Sequence, residues 1–271
     1  MLSYRDLIIG FRQLEISPEN PIIVHASLSS FGEIRGGVET LFGALLNTFS
    51  SILTPTFTYK TMIIPEVGPE NNGIDYGSGK SLNKMAEFFS ADLPADRLMG
   101  VLAEKIRTYP KAVRSNHPIL SFAGINLPEA IHSQSLENPL APIQWLHDHE
   151  GAILLLGVDQ TVNTSIHLAE QLAGRKSFIR WGLTRNAILE CPNFPGCSNG
   201  FNKVEHYLSH LTMATQIGKA TIKVISISEL FATLIPIIQK DLLAFLCEQQ
   251  FCDRCNSIRF DSQLLANVKT D

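Results

Sequence analysis

The chain predicts an α/β fold: one domain over residues 1–271, built on a mixed, largely parallel sheet with helices on its faces. Three observations carry that expectation. Short aliphatic runs at 22–25, 52–54, 152–156 and 221–226 have the length and composition of buried strands. Segments with helical periodicity lie between and beside them, at 4–14, 38–47 and 166–173. Finally, 271 residues at 45% hydrophobic content can fill one large core, and neither an internal repeat nor a low-complexity linker divides it.

In chain order, Ser3 is placed to cap the first helix, and Pro18 and Pro21 bracket a turn. The first strand runs into Ser27, Leu28, Ser29 and Ser30, and Gly36 and Gly37 lead to the helix 38–47. Small hydroxyl residues at a strand's end offer backbone N–H groups to a phosphate, and they are equally the composition of an ordinary turn. The second strand stops at Pro55. An insertion at 57–113 follows, irregular at first, with helices expected at 82–89 and 97–109. Its Glu66, Glu70 and Asp75 suit either recruitment of a cationic substrate or a solvated excursion. The GSGKS run at 77–81 is no phosphate-binding P-loop, because Ile74 stands where the first glycine is required. Arg114, Ser115 and His117 precede a strand at 119–123. That loop suits a phosphate, or else a surface cation beside a turn histidine. His147 and His149 have metal-like spacing without a supporting ligand, which favours a solvated turn.

The stretch 151–176 organises the rest. A strand at 152–156 turns at Gly157, and Asn163, Thr164 and Ser165 suit the start of a helix. Gly174 fits its stop, with Arg175 and Lys176 at the negative end of its dipole. His167 and Glu170 are three apart and share one side, opposite an apolar arc of Ile166, Leu168, Ala169, Leu172 and Ala173. Such a pair serves acid–base chemistry or is an ordinary surface contact. Beyond it the pattern predicts a hairpin at 177–183 and 187–191, a helix at 202–212, and a last helix from Ser228 to about residue 246.

The formal charge of −4, without any basic run, excludes a nucleic-acid or anionic-membrane partner. No segment is apolar and long enough to span a bilayer. Five cysteines, an odd number in a long chain, argue against a disulfide framework and for a cytoplasmic location. Cys252 and Cys255 make a CxxC with Cys247 close before them, and Cys191 and Cys197 flank a Pro-rich turn. Four thiolates drawn from these, with Cys191, Cys197, Cys252 and Cys255 as the set, form a candidate structural zinc site, against the simpler reading of free thiols.

Three motifs then stand in one order: VHASLSSFG with RGG, RSNHPILSFAG, and LLLGV followed by NTSIHLAE. Together, over roughly 21–225, they resemble the aminoglycoside 3-N-acetyltransferase family. The resemblance implies a mixed α/β sandwich, acetyl-coenzyme A as co-substrate, and a small-molecule amine acceptor of the aminoglycoside or amino-sugar kind. It implies that Ser27, Leu28 and Ser29 contact the cofactor, with Arg114, Ser115 and His117 near its phosphates. His167 would be the general base, Glu170 its orienting partner, and Thr164 a neighbour of the reacting carbonyl. The insertion departs from the resistance enzymes' substrate loop, being helix-rich and without tryptophan, so the acceptor stays open. Three competitors stand beside this reading. Gly196–Gly200 matches the GxSxG nucleophile elbow of a serine hydrolase, although Pro192 and Pro195 interrupt the strand it needs. A zinc hydrolase would use His167, Glu170 and a later histidine. A non-catalytic binding protein would keep only the fold. The sequence does not specify an oligomeric state.

Overall fold

Ser3 caps the first helix as its position requires. Its Oγ accepts from the Asp6 N–H at 3.3 Å, and its own N–H donates to the Asp6 carboxylate at 2.8 Å. In this computed structural model the described residues are 1–268, so 269–271 of the expected domain lie outside them. The helices are α1 (Tyr4–Arg12), α2 (Gly37–Thr48), α3 (Lys80–Asn83), α4 (Gly100–Arg107), α5 (Pro128–His132), α6 (Ala141–Asp148), α7 (Thr164–Leu172), α8 (Glu205–Leu208), α9 (Ile227–Lys240) and α10 (Asp253–Val268). The strands are β1 (Ile22–Ala26), β2 (Ile52–Pro55), β3 (Met62–Ile63), β4 (Ala112–Arg114), β5 (Phe122–Ile125), β6 (Ala152–Leu156), β7 (Phe178–Leu183), β8 (Ile188–Phe194), β9 (Met213–Ile217) and β10 (Ala220–Ser226).

Seven strands form one mixed sheet in the order β4-β5-β2-β1-β6-β10-β9, and β3-β7-β8 form a small second sheet. Parallel pairing is confined to the centre, β2-β1-β6, with Ile22 opposite Ala152 and Ala26 opposite Leu156. The outer pairs are antiparallel. The chain explains that limit on the expected parallel character. A helix, α2, carries it from β1 to β2, whereas β9 and β10 are joined only by Gly218 and Lys219. A link that short can only reverse direction.

The central strands are covered on both faces, which is why they read as unbroken aliphatic runs. Ile22, Val24, Leu154 and Leu156 pack with Leu7, Phe11, Leu41 and Leu45 of α1 and α2. Ile23, Ile153 and Leu155 face the other way, among Ile166, Ala169, Leu230 and Leu234 of α7 and α9. Fully burying one such side chain stabilises the fold by about 1.5–3 kcal/mol, so a carboxylate at Ile23 or Leu154 would break the centre.

Several expected elements differ. The helix expected at 82–89 shrinks to α3, the one at 97–109 to a 3-10 turn followed by α4, and the one at 202–212 to a 3-10 turn followed by α8. Gly100, at φ +82°, ends the turn and is the first residue of α4. The strand expected at 119–123 sits at β5. The last helix, expected to reach about residue 246, ends at Lys240, and β3, β4, β9, α5, α6 and α10 have no counterpart in the sequence pattern. β8 runs through Pro192 because it is an edge strand, where a missing N–H removes no ladder bond. Among the described residues, no helix is long and apolar enough to cross a membrane.

Candidate active site

The loops after β1 and β6, the two parallel central strands, meet at one end of the sheet. The Ser27 N–H donates to the Leu156 carbonyl at 3.0 Å, and Ser30 Oγ donates to the Ser27 carbonyl at 2.6 Å. Gly157 turns beside them at φ +65°, where a Cβ would stand 1.8 Å from Ser30 Oγ. Only glycine allows this approach. A cleft of about 1300 Å³ opens there. Ser27, Leu28 and Ser29 line one wall; Thr164 and His167, from the start of α7, line another.

Asn163 caps α7, its Oδ1 accepting from the Ser165 N–H at 3.1 Å. One turn on, His167 Nδ1 lies 2.8 Å from Glu170 Oε2. An ionised carboxylate only accepts, which makes Nδ1 the donor of this contact, and in the neutral imidazole Nε2 then holds the lone pair. The Phe201 ring packs on the imidazole, with centroids 4.7 Å apart. Glu170 lies deeper than the helix pattern implied: it is 5% exposed, while Leu172 of the expected apolar arc is 45% exposed. Arg175 accounts for the inversion. Gly174 takes φ +83°, and the chain turns so that the buried Arg175 guanidinium donates to Glu170 Oε1 and to the Ala244 carbonyl. The sequence reading placed Arg175 at the helix dipole. The usable signal was the Gly174 stop, which folds the next residue back under the helix.

The second expected phosphate loop is not at the cleft. Arg114 spends its donors on the carbonyls of Ala91, Leu93 and Thr56 and on Ser121 Oγ. Burial lowers its pKa to about 10. Ser115 Oγ accepts from the Phe122 N–H at 2.8 Å, and His117 Nδ1 accepts from Ile119 and Leu120 at 3.1 and 2.9 Å. Ser115 and His117 tie the turn between β4 and β5 together, Arg114 joins the end of β4 to the 91–93 segment and Thr56, and none of the three lines the cleft. Glu66, Glu70 and Asp75 are exposed and also stand outside its lining, although Gly73 and Ile74 reach it.

The sequence reading missed the cleft's arginines: Arg97, Arg180 and Arg254. Arg180 donates to the carbonyls of Asn72 and Gly73, both at 3.1 Å, and lies over the rings of Phe178 and Phe194. Among the described residues, no carboxylate lines the cleft. Tyr59 also lines it, and burial pushes its phenol up to about 12, which keeps it a neutral hydroxyl. His25 joins the lining from β1 with its pKa lowered to about 3 by burial.

The competing constellations do not assemble. Ser198 lines the cleft, but His206 and His210 are exposed, and neither is hydrogen-bonded to it. His149 Nδ1 is bonded to the Trp145 carbonyl at 2.7 Å, and His147 Nδ1 to Asp148 at 2.9 Å. Both belong to the last turn of α6 and its end rather than to a metal site.

Residues 23–239 match the family described as aminoglycoside 3-N-acetyltransferase. The prophage-derived aminoglycoside N(3')-acetyltransferase-like protein YokD of Bacillus subtilis is 29% identical over 163 residues, which is 55% of this chain. That alignment spans only 57% of the Bacillus protein's own length. Among solved structures, the aminoglycoside acetyltransferase AAC(3)-IVa apoenzyme shares the fold at TM-score 0.77 and 23% identity, covering 95% of this chain and 96% of that one. AAC-IIIb in binary complex with CoASH shares it at TM-score 0.71 and 19% identity, covering 88% and 97%. Because the family match runs from β1 to the last turn of α9, the chain belongs to the aminoglycoside 3-N-acetyltransferase family.

Proposed function

We propose that the protein is an acetyl-coenzyme A-dependent N-acetyltransferase acting on an amine of an aminoglycoside-like or amino-sugar acceptor. The observation that carries the reading is His167, set in the cleft wall with Nδ1 committed to a buried carboxylate and Nε2 free for a substrate. Family membership and a relative's complex with CoASH support the cofactor. The cleft fits it. The Ser27–Ser29 turn presents hydroxyls at a strand end, and Arg97 stands exposed in the lining as a guanidinium suited to phosphates.

An ammonium has no lone pair, so the acceptor must react as the neutral amine. His167 Nε2 takes a proton as the nitrogen attacks the thioester carbonyl. The C–N bond forms, the C–S bond breaks, and the proton passes on to the leaving thiolate. Glu170 holds the imidazole in its tautomer and stabilises the imidazolium, and Arg175 holds Glu170. Thr164 lies in the first turn of α7, where the helix's positive end favours the developing oxyanion. No covalent enzyme intermediate is needed when both substrates occupy the cleft together.

The test is amine-dependent release of free coenzyme A thiol across a panel of aminoglycosides and amino sugars, for wild type and His167→Ala. The reading expects at least one accepted amine and a loss of about 10²–10⁴-fold in kcat for the variant, with calorimetric coenzyme A affinity nearly unchanged. No coenzyme A binding and no turnover with any amine would overturn it.

A further inference from the structure

Four cysteines take no part in the transfer chemistry, yet their sulfurs converge. The Sγ atoms of Cys197, Cys247, Cys252 and Cys255 all lie within 4.8 Å of one another, and those of Cys247 and Cys255 are 3.4 Å apart. Four thiolates around one zinc, at a Zn–S distance of about 2.3 Å, stand about 3.8 Å from each other. Small side-chain adjustments therefore close the tetrahedron. Three of the four are buried and Cys252 is half-buried, the enclosure expected of a structural rather than a catalytic site. Cys252 and Cys255 come from the start of α10, Cys247 from the stretch after α9, and Cys197 from the turn after β8. The Asn199 N–H points at Cys197 Sγ at 3.5 Å, an outer-shell contact that steadies a thiolate. Cys191 is not a member. It is buried in the core on β8, and Cys247 takes the place the sequence reading gave it.

We propose that Cys197, Cys247, Cys252 and Cys255 bind one structural zinc ion, and that the ion fastens α10 to the cleft wall farthest from Ser27–Ser29 in the chain. Binding displaces thiol protons and transfers no electrons. The link to the wall is direct. Arg254 stands between two ligands, lines the cleft, and donates to the Gly196 carbonyl at 2.7 Å. Gly196, Ser198 and Asn199, on either side of the Cys197 ligand, line the cleft as well. Gly200 then lies against the Phe245–Cys247 backbone, where a Cβ would come within 2.2 Å of the Phe245 carbonyl oxygen. The ion thus joins the two chain segments that form this wall, and it leaves the cofactor turn untouched.

The experiment begins with elemental analysis of protein purified under reducing conditions without added metal or chelator. The expected result is about one zinc per chain. Titration with an organomercurial should release that zinc into a colorimetric chelator as the thiols react. Cys252→Ser and Cys255→Ser should each retain less than about a fifth of it, and Cys191→Ala should retain it in full. If those serine variants do not fold, zinc release from the wild type still decides the matter. Melting temperature should fall on stripping the metal, and acceptor KM should rise more than coenzyme A affinity changes. Substoichiometric zinc with freely reactive thiols, iron in place of zinc, or a disulfide within the set would each overturn the proposal. Metal content is read without any turnover, so this inference and the acetyltransferase reading can fail separately.

Discussion

Replacing Glu170 with Gln should lower both stability and rate, whereas replacing His167 with Ala should lower rate with a smaller loss of stability. The side chains of Glu170 and Arg175 are 7% and 1% exposed, and Arg175 Nε has no hydrogen-bond partner among the described residues. Neutralising Glu170 leaves a buried guanidinium without its counter-charge. Breaking a buried ion pair by removing one partner costs about 3–5 kcal/mol. The Gln amide oxygen keeps one acceptor, which favours the lower end, about 3 kcal/mol. At about 2–4 °C per kcal/mol for a chain of this size, the melting temperature should fall by about 6–12 °C. His167→Ala leaves the Glu170–Arg175 pair intact. It loses one hydrogen bond and the Phe201 contact, worth about 1–2 kcal/mol together, while kcat falls by about 10²–10⁴-fold. The assay is thermal unfolding of the three proteins, with kcat measured on an accepted amine. Equal melting temperatures for wild type and Glu170→Gln would refute the buried pair. Wild-type kcat in His167→Ala, with chemistry shown to limit the rate, would refute the base.

Acid should unfold the protein early. Burial lowers the pKa of His25 to about 3 and that of His117 to about 4, while both return to about 6.5 in the unfolded chain. The unfolded state therefore binds the extra protons. Stability is intact above the unfolded value and falls as pH drops towards 4, by up to about 1.4 kcal/mol per pH unit for each group. Denaturant midpoints that match at about pH 7 and about pH 5 would contradict this. Arg114→Ala should cost about 2–4 kcal/mol, because it unpairs three backbone carbonyls and a hydroxyl. Coenzyme A affinity by calorimetry should not change, and a large loss would return Arg114 to the cofactor site. Reversing charge at Glu70 and Asp75, which stand exposed on the segment that carries Ile74 to the cleft, should raise KM for a cationic acceptor most at low salt. A KM indifferent to both salt and substitution would show that these carboxylates recruit nothing.

The parts of the site that depend on local pattern were legible in the sequence. A strand, Gly157, a cap and a His–Glu pair three apart define the α7 unit, and a strand followed by small hydroxyl residues defines the facing turn. What depends on long-range placement was not. Arg114 looked like a phosphate ligand because a guanidinium's role is set by which acceptors surround it, and here they include carbonyls 21 to 58 residues away along the chain. Arg180 and Arg254 were invisible for the same reason. Glu170 could not be judged buried until Arg175 was seen beneath it. Cys191 and Cys247 could not be told apart by spacing, since only the path of the chain after α9 brings Cys247 to the others. The irregular insertion resisted assignment because 3-10 turns and short helices leave no sustained period to read.

The pairing of β1 with β6 has a consequence for synthesis. Ile23 sits opposite Ile153, so the ribosome must add 130 residues before the strand at the middle of the sheet can meet its second neighbour. At about 5–20 residues per second this takes roughly 6–26 s. During that interval the nascent chain can assemble β1, α2 and β2, but it presents a bare aliphatic edge on β1, the kind that templates pairing with another chain. When β6 arrives it covers that edge and bares its own until β10 emerges. Helix α7 comes off the ribosome between those two events. The cleft is therefore completed late, and a chain released before residue 220 would carry His167 and Glu170 on a sheet with one side still open.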